Sequence, residues 1–460
     1  MNGGEKMNYS RKLAERYSGL EFQNLPETAL RKAKECILDH LSCIYAGLSF
    51  TSSQVVHQFA RENYAAGKCT VIGERKKLVP AGACLANSTT GHAPELDDTS
   101  NEAVLHVGVI VIPVAMAMAE DLGLGGKEFL RSIIIGYDTD IKLGKAANPS
   151  TLLARGFHPT SLCGSFGAAM TAASLMGLNV EQTVNALGIV GSFTSGNLEC
   201  YSDGSLTKRL NPGVASSAGV IAAELARKGY TGPKGILEGP RGFFHSYCEN
   251  PRPKELDEFE GLEIERISFK PHACCRYNQA PIDAALEIRK RNKIDPSNIQ
   301  SVLIELPKTG YEIVAQPAEV KFHPQNVVDG QFSAPYGVAV ACIEGKASLE
   351  EFTEEAIRRP DVAEFMKKIR VRHAPDLDKH LPNQFTARVS ITMGDRKTDT
   401  QEILYAKGDP QNPLSWDELL EKFNTLVPSS VRSRSQREQI VEKLKELENL
   451  KEIIEFTSLL

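Results

Sequence analysis

Ala387-Arg388-Val389-Ser390-Ile391-Thr392-Met393 alternates apolar and polar side chains over seven residues. That period of two places Ala387, Val389, Ile391 and Met393 on one face of a β-strand. Two shorter β-branched runs precede it, Val302-Leu303-Ile304-Glu305-Leu306 and Ile369-Arg370-Val371. Helical patterns at 281–291 and 332–343 lie among them. Strands and helices mixed in this way predict an α/β or α+β domain over residues 266–400.

Outward from that segment the texture is helical. Ala29, Ala33, Cys36, Ile37, Leu41 and Ile44 recur at helical spacing after Pro26, which is placed to open a helix. Segments 164–175, 180–189 and 213–228 are read as carrying many small residues, so helices built from them can approach closely. Beyond Trp416, Ile440, Val441, Leu444, Leu447, Leu450, Ile453 and Ile454 form a helical stripe. The expected fold is mostly α with an inserted α/β domain. Residues 1–265 supply the first part of a large helical domain, 266–400 the smaller domain and 401–460 the helices that complete the large one. Pro251-Arg252-Pro253 reads as a linker.

Composition narrows the function. The chain has 460 residues, 53 basic against 58 acidic side chains and a net charge of -5. That balance argues against nucleic acid as a partner, which favours a basic face. Val104–Ala119 is apolar but contains His106, Gly108 and Pro113, and it falls short of the ~20 residues of a spanning helix. It reads as a buried helix behind a polar loop. Met1–Arg11 carries charges and no apolar h-region, so no secretory signal and a cytoplasmic location are expected. The ten cysteines include no C-x-x-C pair, which gives a structural zinc site little support. An iron–sulfur cluster from scattered cysteines stays open. The loop Gly123-Leu124-Gly125-Gly126-Lys127 lacks the spacing of a P-loop or a dinucleotide fingerprint and reads as a helix–helix turn. No nucleophile elbow G-x-S-x-G occurs.

Five polar clusters interrupt the apolar background. The first is Gly91-His92-Ala93-Pro94-Glu95-Leu96-Asp97-Asp98-Thr99 with His106 after it, either a cluster of chemical groups or an acidic cap beside a core histidine. The second is Gly156-Phe157-His158-Pro159-Thr160, where His158 stands at a helix start as a candidate general base or as an exposed loop residue. The third, residues 204–213, holds Lys208 and Arg209 in a loop that would suit an anion or be a solvated surface. The fourth is Phe269-Lys270-Pro271-His272-Ala273-Cys274-Cys275-Arg276-Tyr277. In the fifth, Gln331-Phe332-Ser333-Ala334-Pro335-Tyr336, a tyrosine opens a helix.

Together these motifs resemble the MmgE/PrpD family, which includes 2-methylcitrate dehydratases, cis-aconitate decarboxylase and iminodisuccinate epimerase. The likeness runs from the Glu35–Gly47 helix to Gly408-Asp409-Pro410 and Asn412-Pro413-Leu414-Ser415. The resemblance implies a helical domain with a smaller lid-like domain, a homodimer, and a site in the interdomain cleft that uses neither metal nor cofactor. It implies site residues Asp97, Thr99, His106, His158, Lys208, Lys270 and Tyr336. Glu95 stands where decarboxylase-like members have Asp, and this chain carries one residue more between Thr99 and His106. Cys275 stands where the decarboxylase and the dehydratases have His, so the Cys-Cys pair is nearer the epimerase-like members.

The chemistry so implied is removal of a proton or carbon dioxide next to a carboxylate of a small di- or tricarboxylate. Lys208, Lys270, Arg209 and Arg276 would hold carboxylates, His158 would be the base, and His106 or Tyr336 would return a proton. Glu95 or Asp97 would orient a histidine, and Cys275 is either a second acid/base or a packed thiol. The leading expectation is dehydration of a 2-methylcitrate-like hydroxy acid. Epimerisation of an α-carbon and decarboxylation of cis-aconitate are the enzymatic alternatives, and an inactive binding protein is the non-enzymatic one.

Overall fold

The stripe read at Ala29–Ile44 is buried throughout on helix α1, Glu27–Gly47. From Glu35 onward this helix is buried on every side, as a helix at the centre of a bundle must be. In this computed structural model, which describes residues 8–381 and 383–460, α1 is surrounded by α2 (Pro80–His92), α3 (Gly108–Leu122) and α4 (Gly126–Ala146). Residues 1–7, on which part of the no-signal reading rested, lie outside that description. α5 (Pro159–Leu175) and α6 (Thr207–Arg227) complete the layers. More than half of the protein is helical, so the expected mostly-α fold with an α/β part is what the chain adopts.

Two units divide the chain. Of the described residues, the first comprises those up to 93, 97–267 and 415–460, and the second 94–96 and those within 268–414. Within the first, small residues let helices touch. A Cβ on Gly219 of α6 would lie 2.6 Å from the Ala169 amide nitrogen of α5, and it would overlap the Ala168 side chain. The chain's end is bound into the same unit, with Lys422 pairing with Asp39 at 2.6 Å and Tyr45 donating to the Leu460 carbonyl.

The second unit contains α7 (Arg276–Asn292), α8 (Ala334–Glu344) and a four-stranded sheet of β1 (Ile299–Leu306), β2 (Ile369–His373), β3 (Ala387–Met393) and β4 (Thr398–Ile403). The order is β2-β1-β3-β4, with β1 and β2 parallel and the other pairs antiparallel. Register places Ile304 between Val371 and Val389, so the three runs that announced the sheet meet at its centre. Ala387, Val389 and Ile391 are buried while Met393 is half-buried at the strand's end. No described helix is long and apolar enough to cross a membrane.

Three local readings need correction. Pro251-Arg252-Pro253 is no linker: the Arg252 amide donates to the Ala146 carbonyl at 2.7 Å, and Leu256 just beyond is buried. The stripe from Ile440 to Ile453 is buried, but the helix α10 (Arg434–Lys445), which follows α9 (Trp416–Leu426), ends before its second half. The chain breaks there because the Leu450 carbonyl accepts from the Gly126 amide, holding residues 447–450 against the start of α4. Lys208 and Arg209 lie not in a loop but in the first turn of α6.

Gly219→Ala is expected to lower unfolding free energy by about 1–3 kcal/mol, the usual result of overpacking a helix contact. Its denaturant midpoint should fall with the slope unchanged.

Candidate active site

In the first unit Asp97 and Asp98 of the acidic motif, with His92, His106, His158 and Lys208, come together around one buried carboxylate. Asp97 Oδ2 lies 2.7 Å from His92 Nδ1 and 3.1 Å from His106 Nδ1. Burial alone would push the Asp97 carboxyl up. The imidazoles of His106 and His92 outweigh it and hold the carboxyl well below the usual carboxylate range. Local structure sets the spacing: His92 is the last residue of α2, and His106 follows a hairpin closed by a Ser100–Leu105 bridge. Val104 in that hairpin has φ of +52°, a strained value for a β-branched residue, and Glu95 has +56°. The His106 amide donates to Thr160 Oγ1 at 3.1 Å, which fastens the hairpin to α5.

The hydrogen bonds fix which nitrogens carry protons. His92 Nδ1 donates to Asp97, so its Nε2 accepts from the Lys208 ammonium at 3.0 Å. His106 Nδ1 faces two acceptors, Asp97 Oδ2 and the Asp98 carbonyl at 3.0 Å. It carries the hydrogen, so in the neutral ring Nε2 has the lone pair. His158 is set the other way. Asn211 Nδ2 donates to its Nδ1 at 3.2 Å and to the Asn197 carbonyl at 3.3 Å, which fixes the amide's orientation. The neutral His158 therefore carries its hydrogen on Nε2. The ring of His92 is stacked 5.9 Å from His158 and meets His106 edge-on at 4.9 Å.

Beneath this layer Asp98 anchors the start of α3. Its carboxyl accepts from Tyr137 Oη at 2.6 Å and from the Gly108 amide at 2.9 Å. Burial raises it to about 7 against the pull of those donors. His40, under Gly91, is pushed down to about 3 by burial, and neither ring nitrogen has a hydrogen-bond partner among the described residues. Arg209 is buried with its guanidinium 5.0 Å from the Phe50 ring, and the buried Thr99 hydroxyl has no partner among the described residues.

The second unit holds the other predicted residues, and it separates them. Lys270 Nζ binds the Glu95 carbonyl at 3.1 Å and its carboxylate at 3.4 Å. Arg276 pairs with Asp409, which also accepts from Ser268 Oγ. Cys275 caps α7, its amide donating to the Gln331 carbonyl at 2.9 Å. Tyr336 stands apart: it is fully buried and its hydroxyl donates to the Glu351 carbonyl at 2.6 Å. Burial raises that phenol.

Sequence reasoning missed His92 and Asn211. His92 was read as part of a motif without a role of its own. The backbone beside it is closely packed, since a Cβ on Gly91 would lie 2.6 Å from His40 Cε1. The ligand atoms of His92, Asp97 and His106 lie within 4.8 Å of one another, close enough to gather round a metal ion. The hydrogen-bond pattern instead has both Nδ1 atoms donating to Asp97 and an ammonium against His92 Nε2, where a cation would be repelled.

A buried carboxylate shared by two histidines lies inside the helical unit, and the second unit carries the sheet, a two-part α and α/β class of protein. The MmgE/PrpD N-terminal domain matches residues 11–256 and the MmgE/PrpD C-terminal domain matches 272–447, and the chain belongs to that family. It is 29% identical to a cis-aconitate decarboxylase of Aspergillus terreus over 96% of this chain and 94% of that one. Identity to the human cis-aconitate decarboxylase is 27%, over 96% and 92%, and to the mouse one 26%, over 96% and 91%.

A pH test follows for Asp98. Its folded pKa of about 7 lies above the unfolded value near 4, so the native state keeps a proton the unfolded chain has lost. The stability this contributes is full below pH ~4 and lost as pH rises to ~7, falling by about 1.4 kcal/mol per unit. Asp98→Asn should remove that slope, read as unfolding free energy against pH for both proteins.

Proposed function

We propose that this protein is a lyase that breaks a bond next to a carboxylate of a small di- or tricarboxylate, with decarboxylation of cis-aconitate as the first candidate reaction. The observation that carries the reading is an ammonium, Lys208, backed by His92 and Asp97, beside two imidazoles whose proton positions are opposite. The relatives in the decarboxylase group, similar over nearly the whole chain, support the substrate class.

Decarboxylation breaks a carbon–carbon bond and leaves its electron pair on carbon, delocalised into a neighbouring conjugated carboxylate. Lys208 would hold that carboxylate as its charge grows, a contribution of ~3–4 kcal/mol for one well-placed donor. The His158 Nε2 hydrogen would bond to the developing charge. A His106 imidazolium, its Nδ1 hydrogen held by Asp97, would pass its Nε2 proton to the carbon and be left neutral, worth roughly 10²–10⁴-fold. His92 Nε2 would accept one hydrogen of Lys208 and so hold the ammonium in place.

A second reading, dehydration of a 2-methylcitrate-like hydroxy acid, is favoured by His106. Its Nε2 lone pair is the base an elimination needs, and the imidazolium so formed would return that proton to the departing hydroxyl, which leaves as water. His106 takes the base role here, not the His158 expected from sequence, because Asp97 and the Asp98 carbonyl leave it the lone pair. Tyr336 is left out, its hydroxyl being engaged with Glu351.

Proton NMR in D₂O of chelator-treated protein with cis-aconitate, 2-methylcitrate and an epimerisable aspartate-type dicarboxylate tests the reading. Loss of carbon dioxide supports the first reaction and loss of water the second. Deuterium entering an α-carbon without elimination contradicts both. His158→Ala and Lys208→Ala should each lower kcat by at least about 10²-fold with an unchanged far-UV spectrum. Near-native rates in both would sink the proposal. Full activity after chelation is expected; a loss restored by a divalent ion would instead place a metal at His92, Asp97 and His106.

The family resemblance and one surface of the first unit support a homodimer. Val55, Phe59 and Ile221 are exposed around an apolar groove of about 700 Å³ that also takes in Phe193 and Val214. We place the second copy on this face. Phe59→Glu should yield monomers in sedimentation velocity, while an unchanged dimer would move the interface elsewhere.

A further inference from the structure

The second unit contains a buried cation that none of the preceding chemistry uses. Lys321 ends the short helix Ala318–Lys321, and only 5% of the residue is exposed. Its backbone is fixed, the amide bonding to the Pro317 carbonyl at 3.1 Å and the carbonyl accepting from Ser333 Oγ at 2.5 Å. Its ammonium has neither a hydrogen bond nor an ion pair to any described residue. The Cys275 thiol and the Asp329 carboxylate act on it electrostatically. The Phe332 ring lies 6.0 Å away, next in sequence to Gln331, whose carbonyl accepts from the Cys275 amide at 2.9 Å. Asp329 is already engaged, since its Oδ2 accepts from the Gln325 amide and from Asn326 Nδ2, each at 3.0 Å. Burial pushes the lysine down, and those two groups offset only part of it.

An ammonium on a residue this buried, with no paired anion, is costly to keep charged. Such a group persists where a ligand supplies the missing charge, and Lys321 is held in place by backbone contacts that leave its head uncommitted. We propose that Lys321 is the anchor of an anion subsite beside Cys275 that takes one carboxylate of a small polycarboxylate. Lys321 thus sets how many carboxylates the preferred ligand carries. The substrate class rests on the reading under Proposed function, whereas the subsite rests on Lys321 alone.

Calorimetric titration of the full chain with tricarballylate, glutarate and methylsuccinate tests it, because the two dicarboxylates each lack one of tricarballylate's carboxylates. In the wild type, one dicarboxylate should bind about 10- to 100-fold more weakly than tricarballylate, the size of one charge-assisted contact. In Lys321→Met that ratio should fall to within about threefold, with Lys321→Arg keeping most of it. The Met variant should melt no lower than wild type without ligand, since it removes an unpaired buried charge. An unchanged ratio in the Met variant overturns the proposal, as does wild type that binds no tricarballylate. Wild type that binds with the expected ratios but turns over no polycarboxylate would fail the lyase reading and leave the subsite standing.

Discussion

One buried carboxylate, shared by two imidazoles, organises the candidate site. Asp97 cannot be withdrawn from water as an anion unless donors surround it, and His92 and His106 are those donors. Meeting that need commits the Nδ1 hydrogen of each ring. Everything chemical about the outer nitrogens follows: His92 turns an acceptor to Lys208, and His106 turns an acceptor outward. That carboxylate, read from the sequence as orienting one histidine, thus sets the roles of both His92 and His106.

The scaffold serves that carboxylate by placing rigid elements on each side of it. His92 closes α2, His106 follows a hairpin with Val104 in a strained conformation, Lys208 lies in the first turn of α6, and His158 caps α5. Asp98 draws the start of α3 in through Gly108 and Tyr137, and its carbonyl gives His106 a second acceptor. Close helix contacts at Gly219 and Gly136 make these positions stiff, because neither helix can slide without overlap.

Much of the fold is legible in the sequence because periodicity reports burial directly. The α1 stripe and the alternation of β3 both reflect one buried face, and the structure buries them. The stripe at 440–454 reports burial equally well, yet not the helix end, since that is set by a distant contact of Leu450 with Gly126. Site chemistry is less legible. Charged residues in apolar surroundings pointed to Asp97, His106, His158 and Lys208, but only the folded chain reveals that His92 lies between Asp97 and Lys208. Lys321 gave no signal at all, for a lysine between Val320 and Phe322 looks like any surface residue until its burial is seen.

The account stands most directly on where the imidazole protons are. Nitrogen-15 NMR of histidine-labelled protein near pH 7.5, with each ring assigned by single His→Gln variants, reports that tautomer for each ring. It should find His92 and His106 protonated on Nδ1 and His158 on Nε2, with the first two shifting together in Asp97→Asn. A His106 protonated on Nε2, or rings indifferent to Asp97, would contradict the shared-carboxylate account.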